Sequence, residues 1–138
     1  MKARKTFDHR LAVPRQATDG SAGFDLPLAQ AVTLEMGQQA KLSTGWAFEI
    51  PFGFVGLIKD RSSIAKLRLY TSAGVIDSDY RGEVKILMVN RSTVPIRLEK
   101  GELIAQMIVI PYLSTQLELV KDLEETERAA GGFGSTNK

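Results

Sequence analysis

The side chains able to do chemistry in this chain fall in five short stretches, rich in carboxylates, hydroxyls and arginines. In DRSSIA (60–65), Arg61 precedes Ser62 and Ser63 directly after an apolar run. If the serines open a short helix, its free N–H groups form an anion site to which Arg61 adds a two-pronged, charge-assisted clamp on phosphate. The same residues also fit a Ser62-capped turn in which Arg61 pairs with a surface acid. In AGVIDSDYRGEV (73–84), Gly74 and Gly82 bracket a polar segment between two β-like runs, which predicts a hairpin. Backbone groups at a hairpin mouth can read the edge of a flat heterocycle. Asp77 is a carboxylate of the kind that orients and deprotonates a water, and Tyr80 could lie flat on a sugar. Alternatively this is a solvated turn, with Arg81 the ion-pair partner of Asp77 and Asp79.

Three further stretches are weaker by themselves. DGSAGFDL (19–26) has an Asp-Gly turn followed by Asp25, either a carboxylate reaching a metal's water shell or a strand-entry residue. In GELIAQMIVIP (101–111), Gln106 interrupts an apolar run, so its amide needs partners if buried; structural hydrogen bonding is the default. The C-terminal stretch supplies Arg128, then glycines around Phe133, then Gly134, Ser135 and Thr136. Successive glycines let N–H groups wrap a phosphate chain. This is no Walker A loop, because Gly-Lys-Ser/Thr and a following helix are both missing. A disordered end is the alternative.

Composition removes other chemistries. With no cysteine, disulfides, thiolate nucleophiles and Cys-ligated zinc are excluded. His9 is the only histidine, which excludes a multi-histidine metal site and argues against a Ser-His-Asp triad; between charged neighbours it reads as solvated and incidental. A net charge of +2 advertises no broad basic face for nucleic acid. The basic N-terminus lacks the apolar run of a secretory signal, and no stretch approaches the roughly 20 apolar residues of a membrane helix, so a cytoplasmic protein is expected.

The elements that must hold these residues read as strands. Length and 43% hydrophobic content suit one globular domain. Leu42, Trp46, Phe48 and Ile50 alternate with a break at Gly45, and FVGLI (54–58) carries Gly56, a mark of a bulge or a close backbone approach. EVKILMVN (83–90) and LIAQMIVIP (103–111) read as core strands, and the five prolines fall at strand edges or turns. SSIAKLR (62–68) allows a turn or two of helix with Ser62 as N-cap; residues 118–130 read as a last strand entering an exposed linker, with a frayed helix as the other option. The expected class is all-β, with at most one short helix.

Together, AGFDL (22–26), RSSIA (61–65), GVIDSDYRGEV (74–84), GELIAQM (101–107) and RAAGGFGST (128–136) resemble, in order and spacing, the five motifs of the trimeric deoxyuridine triphosphatase (dUTPase) family. The resemblance spans residue 12 to the C-terminus. It implies a jelly-roll β-barrel-like (β-clip) protomer, residues 1–127, a flexible glycine-rich lid, residues 128–138, and a homotrimer whose sites draw on all three chains. The implied reaction is hydrolysis of dUTP to dUMP and pyrophosphate with Mg²⁺, which limits uracil in DNA. Asp77 then matches the water-activating carboxylate and Tyr80 the ring on deoxyribose. Gly74, Val75, Ile76 and Lys85 match the uracil-reading surface. Arg61, Ser62, Ser63 and Gln106 match phosphate contacts, and Asp25 the metal's water shell. Arg128 matches the γ-phosphate clamp, Phe133 the ring stacked over uracil, and Gly134, Ser135 and Thr136 the loop over the phosphates. Departures from the family pattern are Asp60, a negative charge before Arg61, and Ser63, Ala129 and Asn137 where glycine is common. Two other readings are a dCTP deaminase, a related trimer with an RSS-type motif, and a nucleotide-dependent regulatory binder that keeps the fold. DYRGE and the GGFGST segment favour the triphosphatase.

Overall fold

Runs that alternate, or that concentrate branched residues, become strands because only a pleated ladder buries one face while satisfying the backbone. The computed structural model of the protein describes residues 1–131. In order these form β1 (Lys2–Lys5), β2 (Gly23–Pro27), β3 (Val32–Leu34), β4 (Gln39–Ser43), β5 (Trp46–Glu49), β6 (Phe54–Asp60), α1 (Ser62–Ala65), β7 (Leu69–Ser72), β8 (Val75–Ile76), β9 (Lys85–Asn90), β10 (Ile96–Leu98) and β11 (Leu103–Pro111). The expected all-β class with one short helix holds among the described residues, and no helix there is long and apolar enough to cross a membrane. All strand pairs are antiparallel, arranged as β2-β11-β6-β8, β4-β9-β7, β1-β5 and β3-β10.

The core follows from side-chain alternation. Strand β9 buries Ile86, Met88 and Asn90 and turns Lys85, Leu87 and Val89 outward. Asn90 is tolerated inside because its amide donates to the Leu34 and Val94 carbonyls (2.9 and 2.8 Å) while its Oδ1 accepts from Ser92 N–H (2.8 Å). Leu42, Trp46, Phe48 and Ile50 are all buried in one cluster with Leu26, Ile58 and Met107. The break between β4 and β5 falls at Gly45, where φ is +76° and a Cβ would stand 2.6 Å from His9 Nε2. Pro27 and Pro111 end their strands, as expected.

Three expectations are corrected. His9 is buried, not solvated, because the pairing of β1 with β5 carries the following residues over Trp46. Its Nδ1 accepts from Leu11 N–H (3.3 Å), which leaves Nε2–H to donate to the Gly45 carbonyl (2.9 Å), and its ring meets Trp46 edge-on at 5.2 Å. Ser62 is not the N-cap of α1: extended Arg61 holds that place, with no side-chain cap bond. Of the two readings of Gly56, the close approach holds: a Cβ there would lie 2.8 Å from Ile50 Cδ1, β6 runs without a bulge, and the irregularity falls in β11 between Leu103 and Ala105. Residues 118–130 form neither a strand nor a helix, for a strand needs a ladder partner and none pairs with them among the described residues. Leu117 and Leu119 stand fully exposed on this arm.

Candidate active site

Strand register builds one half of the candidate site. Across β2 and β11, Asp25 faces Gln106; across β11 and β6, Ala105 faces Asp60, the residue before Arg61. Three distant segments thereby meet around a hollow of about 200 Å³ whose wall includes Asp25, Arg61, Ser62 and Gln106. Arg61 grips Asp25 with two prongs, Nε to Oδ1 at 2.7 Å and Nη2 to Oδ2 at 3.2 Å. Its Nη1 donates to the Leu103 carbonyl (2.9 Å) and, more weakly, to Ser63 Oγ (3.4 Å). A guanidinium has five N–H donors; four contacts leave one Nη2 hydrogen without a partner among the described residues. Arg61 thus pairs with an acid, and the acid is Asp25. Gln106 Nε2 donates to the Asp60 carbonyl (3.0 Å), so its amide is partnered as the structural reading required. The Asp60 carboxylate accepts from Thr71 N–H (2.7 Å), a bond that ties its charge to β7.

The other half surrounds Asp77. The expected hairpin is not a two-stranded ladder: β8 pairs with β6, whereas β9 pairs with β4 and β7. Residues 77–84 therefore bridge two sheets. Gly74, with φ +103° and a place for Cβ only 3.0 Å from Ile58 Cβ, makes the turn into β8. Its carbonyl accepts from Ile58 N–H (2.8 Å). Strand β8 is the outer member of its sheet, so the far edge of Val75 and Ile76 has no ladder partner among the described residues. A free edge of this kind offers the donors and acceptors that reading a heterocycle requires.

Asp77 is exposed at the rim between two hollows. One, of about 370 Å³, is walled by Val75, Ile76, Tyr80, Glu83, Lys85 and Lys41; the other, of about 640 Å³, has Phe52, Val55, Leu57 and Tyr112 on one side and Ser78 and Asp79 beside Asp77. Tyr80 O–H donates to the Glu83 carbonyl (3.0 Å). Arg81 forms no ion pair with Asp77 or Asp79; its Nη1 donates to the carbonyls of Ser78 (2.6 Å) and Tyr80 (3.1 Å). Partial burial pushes the Glu83 carboxyl up, but hydrogen bonds from Ser43 Oγ and Gly45 N–H (2.8 Å), with the Lys85 charge 3.5 Å away, outweigh it and hold the group below its ordinary value.

Glu83 and Lys41 were not singled out as candidates. Glu83 stood in plain view inside the RGEV run, but its partner Ser43 lies 40 residues away. Lys41 shares a face with Lys85 only because Ser43 pairs with Lys85 in the β4–β9 ladder. The Asp25–Arg61 and Asp77–Tyr80 groups line separate hollows in one chain. Arg128 sits on the exposed arm, with Nε bonded to the Gly131 carbonyl (2.9 Å), and lines neither. Ala129 has φ +42°, a backbone setting that favours glycine. Phe133, Gly134, Ser135, Thr136 and Asn137 lie outside the described residues.

Among the described residues no three His, Asp or Glu side chains cluster to cage a cation. Asp25, whose two oxygens keep lone pairs beyond those taken by Arg61, would hold such an ion through water.

Fold and hollows define an all-β protein with one hollow lined by Arg61, Ser62 and Gln106 and another walled by a free strand edge. The sequence profile of the dUTPase family matches residues 9–137. The chain is 39% identical over 137 residues to the deoxyuridine 5'-triphosphate nucleotidohydrolase of Nautilia profundicola, covering 97% of this chain and 96% of that one. It is 42% identical over 131 residues to the enzyme of that name from Anaeromyxobacter sp. (strain Fw109-5), covering 93% and 89%. A structure of the Staphylococcus bacteriophage 80alpha dUTPase with dUPNHPP superposes with a TM-score of 0.90 at 28% identity, covering 97% of this chain and 96% of that one. The chain belongs to the dUTPase family.

Proposed function

We infer that this protein hydrolyses dUTP to dUMP and pyrophosphate. The observation that carries the reading is the sorting of the motif residues by chemistry: an arginine-and-hydroxyl hollow at Arg61, and a strand-edge hollow with Asp77 at its rim. Val75 and Ile76, with Gly74 and Lys85, read the uracil edge, and Tyr80 lies against the deoxyribose and leaves no room for a 2′-hydroxyl. Arg61, Ser62, Ser63 and Gln106 hold phosphate oxygens. Asp77 takes a proton from water as that oxygen bonds to the α-phosphorus; the bond from phosphorus to the bridging oxygen breaks, and pyrophosphate departs. Magnesium, when bound, neutralises charge on the phosphate oxygens. Arg61 is already oriented by Asp25, so its remaining N–H faces developing charge without rearrangement.

Residues 1–127 act as a jelly-roll domain that assembles as a homotrimer. Exposed Leu117, Leu119 and Leu123 on the arm support assembly, because apolar side chains in such number call for a neighbour's cover. Assembly also brings one chain's Arg61 hollow to another's Asp77 loop. Residues 128–138 then close over the nucleotide, with Arg128 on the γ-phosphate, Phe133 on the base, and Gly134, Ser135 and Thr136 along the phosphates. The test is pyrophosphate release measured across dUTP, UTP, dTTP and dCTP with magnesium. Turnover of dUTP well above the other three is expected. Ammonia release from dCTP, or equal turnover of dUTP and UTP, overturns the reading.

A further inference from the structure

We propose that Glu83 is a positioning residue for this reaction, setting the Tyr80 wall and hence the preference for a 2′-deoxy sugar by anchoring the Asp77 loop to the β4–β5 turn. The inference rests on the dUTP reading above.

Residues 77–84 belong to no strand, and their two ends are rooted in different sheets. Sheet pairing alone therefore leaves the loop's place between those sheets undetermined. Contacts inside the loop are local: Tyr80 N–H to the Asp77 carbonyl (3.2 Å), and Arg81 to the carbonyls of Ser78 and Tyr80. Toward the N-terminal strand, exposed Arg4 donates to the Arg81 carbonyl at 3.2 Å. The stronger attachment is at residues 83–84. Glu83 Oε1 accepts from Gly45 N–H (2.8 Å) and from Ser43 Oγ, and Thr44 Oγ1 donates to the Val84 carbonyl (2.6 Å). Val84 N–H in turn donates to the Trp46 carbonyl (2.9 Å). The Glu83 side chain is only 15% exposed, so water competes little for these bonds.

Tyr80 follows this anchor directly. Its hydroxyl donates to the Glu83 carbonyl (3.0 Å), and its ring lies on Gly82, where a Cβ would stand 2.5 Å from Tyr80 Cζ. Backbone at 82–83 is thus the bed of the ring, and the Glu83 carboxylate decides where that bed lies. Oε2 of the same carboxylate pairs with Lys85 (3.5 Å), so the cation at the mouth of the hollow is steered from the same point. Each oxygen of Glu83 is engaged with protein, which makes it a support for substrate-facing groups rather than one of them.

The experiment compares kcat/KM for dUTP and for UTP in wild type, Glu83→Ala, Tyr80→Phe and the double variant. Loss of one anchoring bond network lowers the dUTP-to-UTP ratio by about tenfold in Glu83→Ala. In the double variant the ratio falls no further than in the more affected single variant, because both act on one ring. Equal loss on both substrates, or independent multiplication of the two effects, overturns the proposal. Should Glu83→Ala fail to fold, Glu83→Gln and Ser43→Ala carry the test: each must lower the ratio by about threefold, and an unmoved ratio in both overturns it. A wild type that does not release pyrophosphate from dUTP sinks both the reading of the site and this inference. A wild type that prefers dUTP, with unmoved ratios in the variants, sinks the inference alone.

Discussion

Replacing Arg61 tests whether the same guanidinium braces the fold and binds phosphate. Its side chain is 28% exposed and that of Asp25 is 16% exposed. Breaking a fully buried pair costs roughly 3–5 kcal/mol, whereas an exposed pair contributes under about 1 kcal/mol. Arg61→Ala strands a largely buried carboxylate and removes the donor to the Leu103 carbonyl, so a loss between those limits, about 2 kcal/mol, is expected. In a domain of this size that lowers Tm by roughly 8 °C. Arg61→Lys keeps a charge but not the fork, and should lose about half as much stability. Its kcat/KM for dUTP should nevertheless fall roughly 10- to 100-fold, since a point charge cannot hold Asp25 and phosphate together. Melts belong at one fixed protein concentration, because subunit association shifts Tm by mass action. A cycle with Asp25→Asn should show coupling of about 1 kcal/mol or more. A Tm for Arg61→Ala within 2 °C of wild type (about 0.5 kcal/mol), or losses that simply add, would refute the reasoning.

Asp77→Asn keeps the shape of the rim and removes the base, so dUTP binding by calorimetry should hold while kcat drops by about 10²–10⁴-fold; near-normal turnover excludes Asp77 as the base. Truncation after residue 127 should leave Tm within a few degrees and abolish most turnover, and full activity in the truncated protein would remove the lid from the mechanism. Glu83 gives a pH dependence of known sign. Its folded-state pKa lies below the ordinary value of 4.5, so its stabilisation is fully present above that value and is lost as pH falls through the lower, folded one. The Tm difference between wild type and Glu83→Gln should therefore be constant from pH 6 to 7.5 and shrink below about pH 4.5; a difference that grows on acidification contradicts the ion pairing.

Much of the fold was legible where hydrophobic period and strand coincide. The run LIAQMIVIP became β11 residue for residue, and EVKILMVN lost only its first two residues before β9. Those two, Glu83 and Val84, escape the strand because they bond to the β4–β5 turn, a contact across about 40 residues that no local pattern reports. His9 was misread for a related reason: charged neighbours set its local context, but the β1–β5 pairing set its burial. The glycines bracketing residues 74–82 rightly marked a reversal, yet glycine spacing cannot say whether the two arms pair with each other or with separate sheets. Arg61 was legible as a phosphate clamp or as half of an ion pair; only strand register names Asp25 as the partner.

The seam crossed by residues 77–84 has a bearing on how this protein tolerates change. Val75 and Ile76 ride on the sheet that contains β6, and Lys85 rides on the sheet that contains β4. A slight tilt of one layer against the other therefore alters the gape between them even while every ladder stays intact. Core replacements such as Ile86→Val, too mild to unfold the chain, should register in turnover before they register in melting.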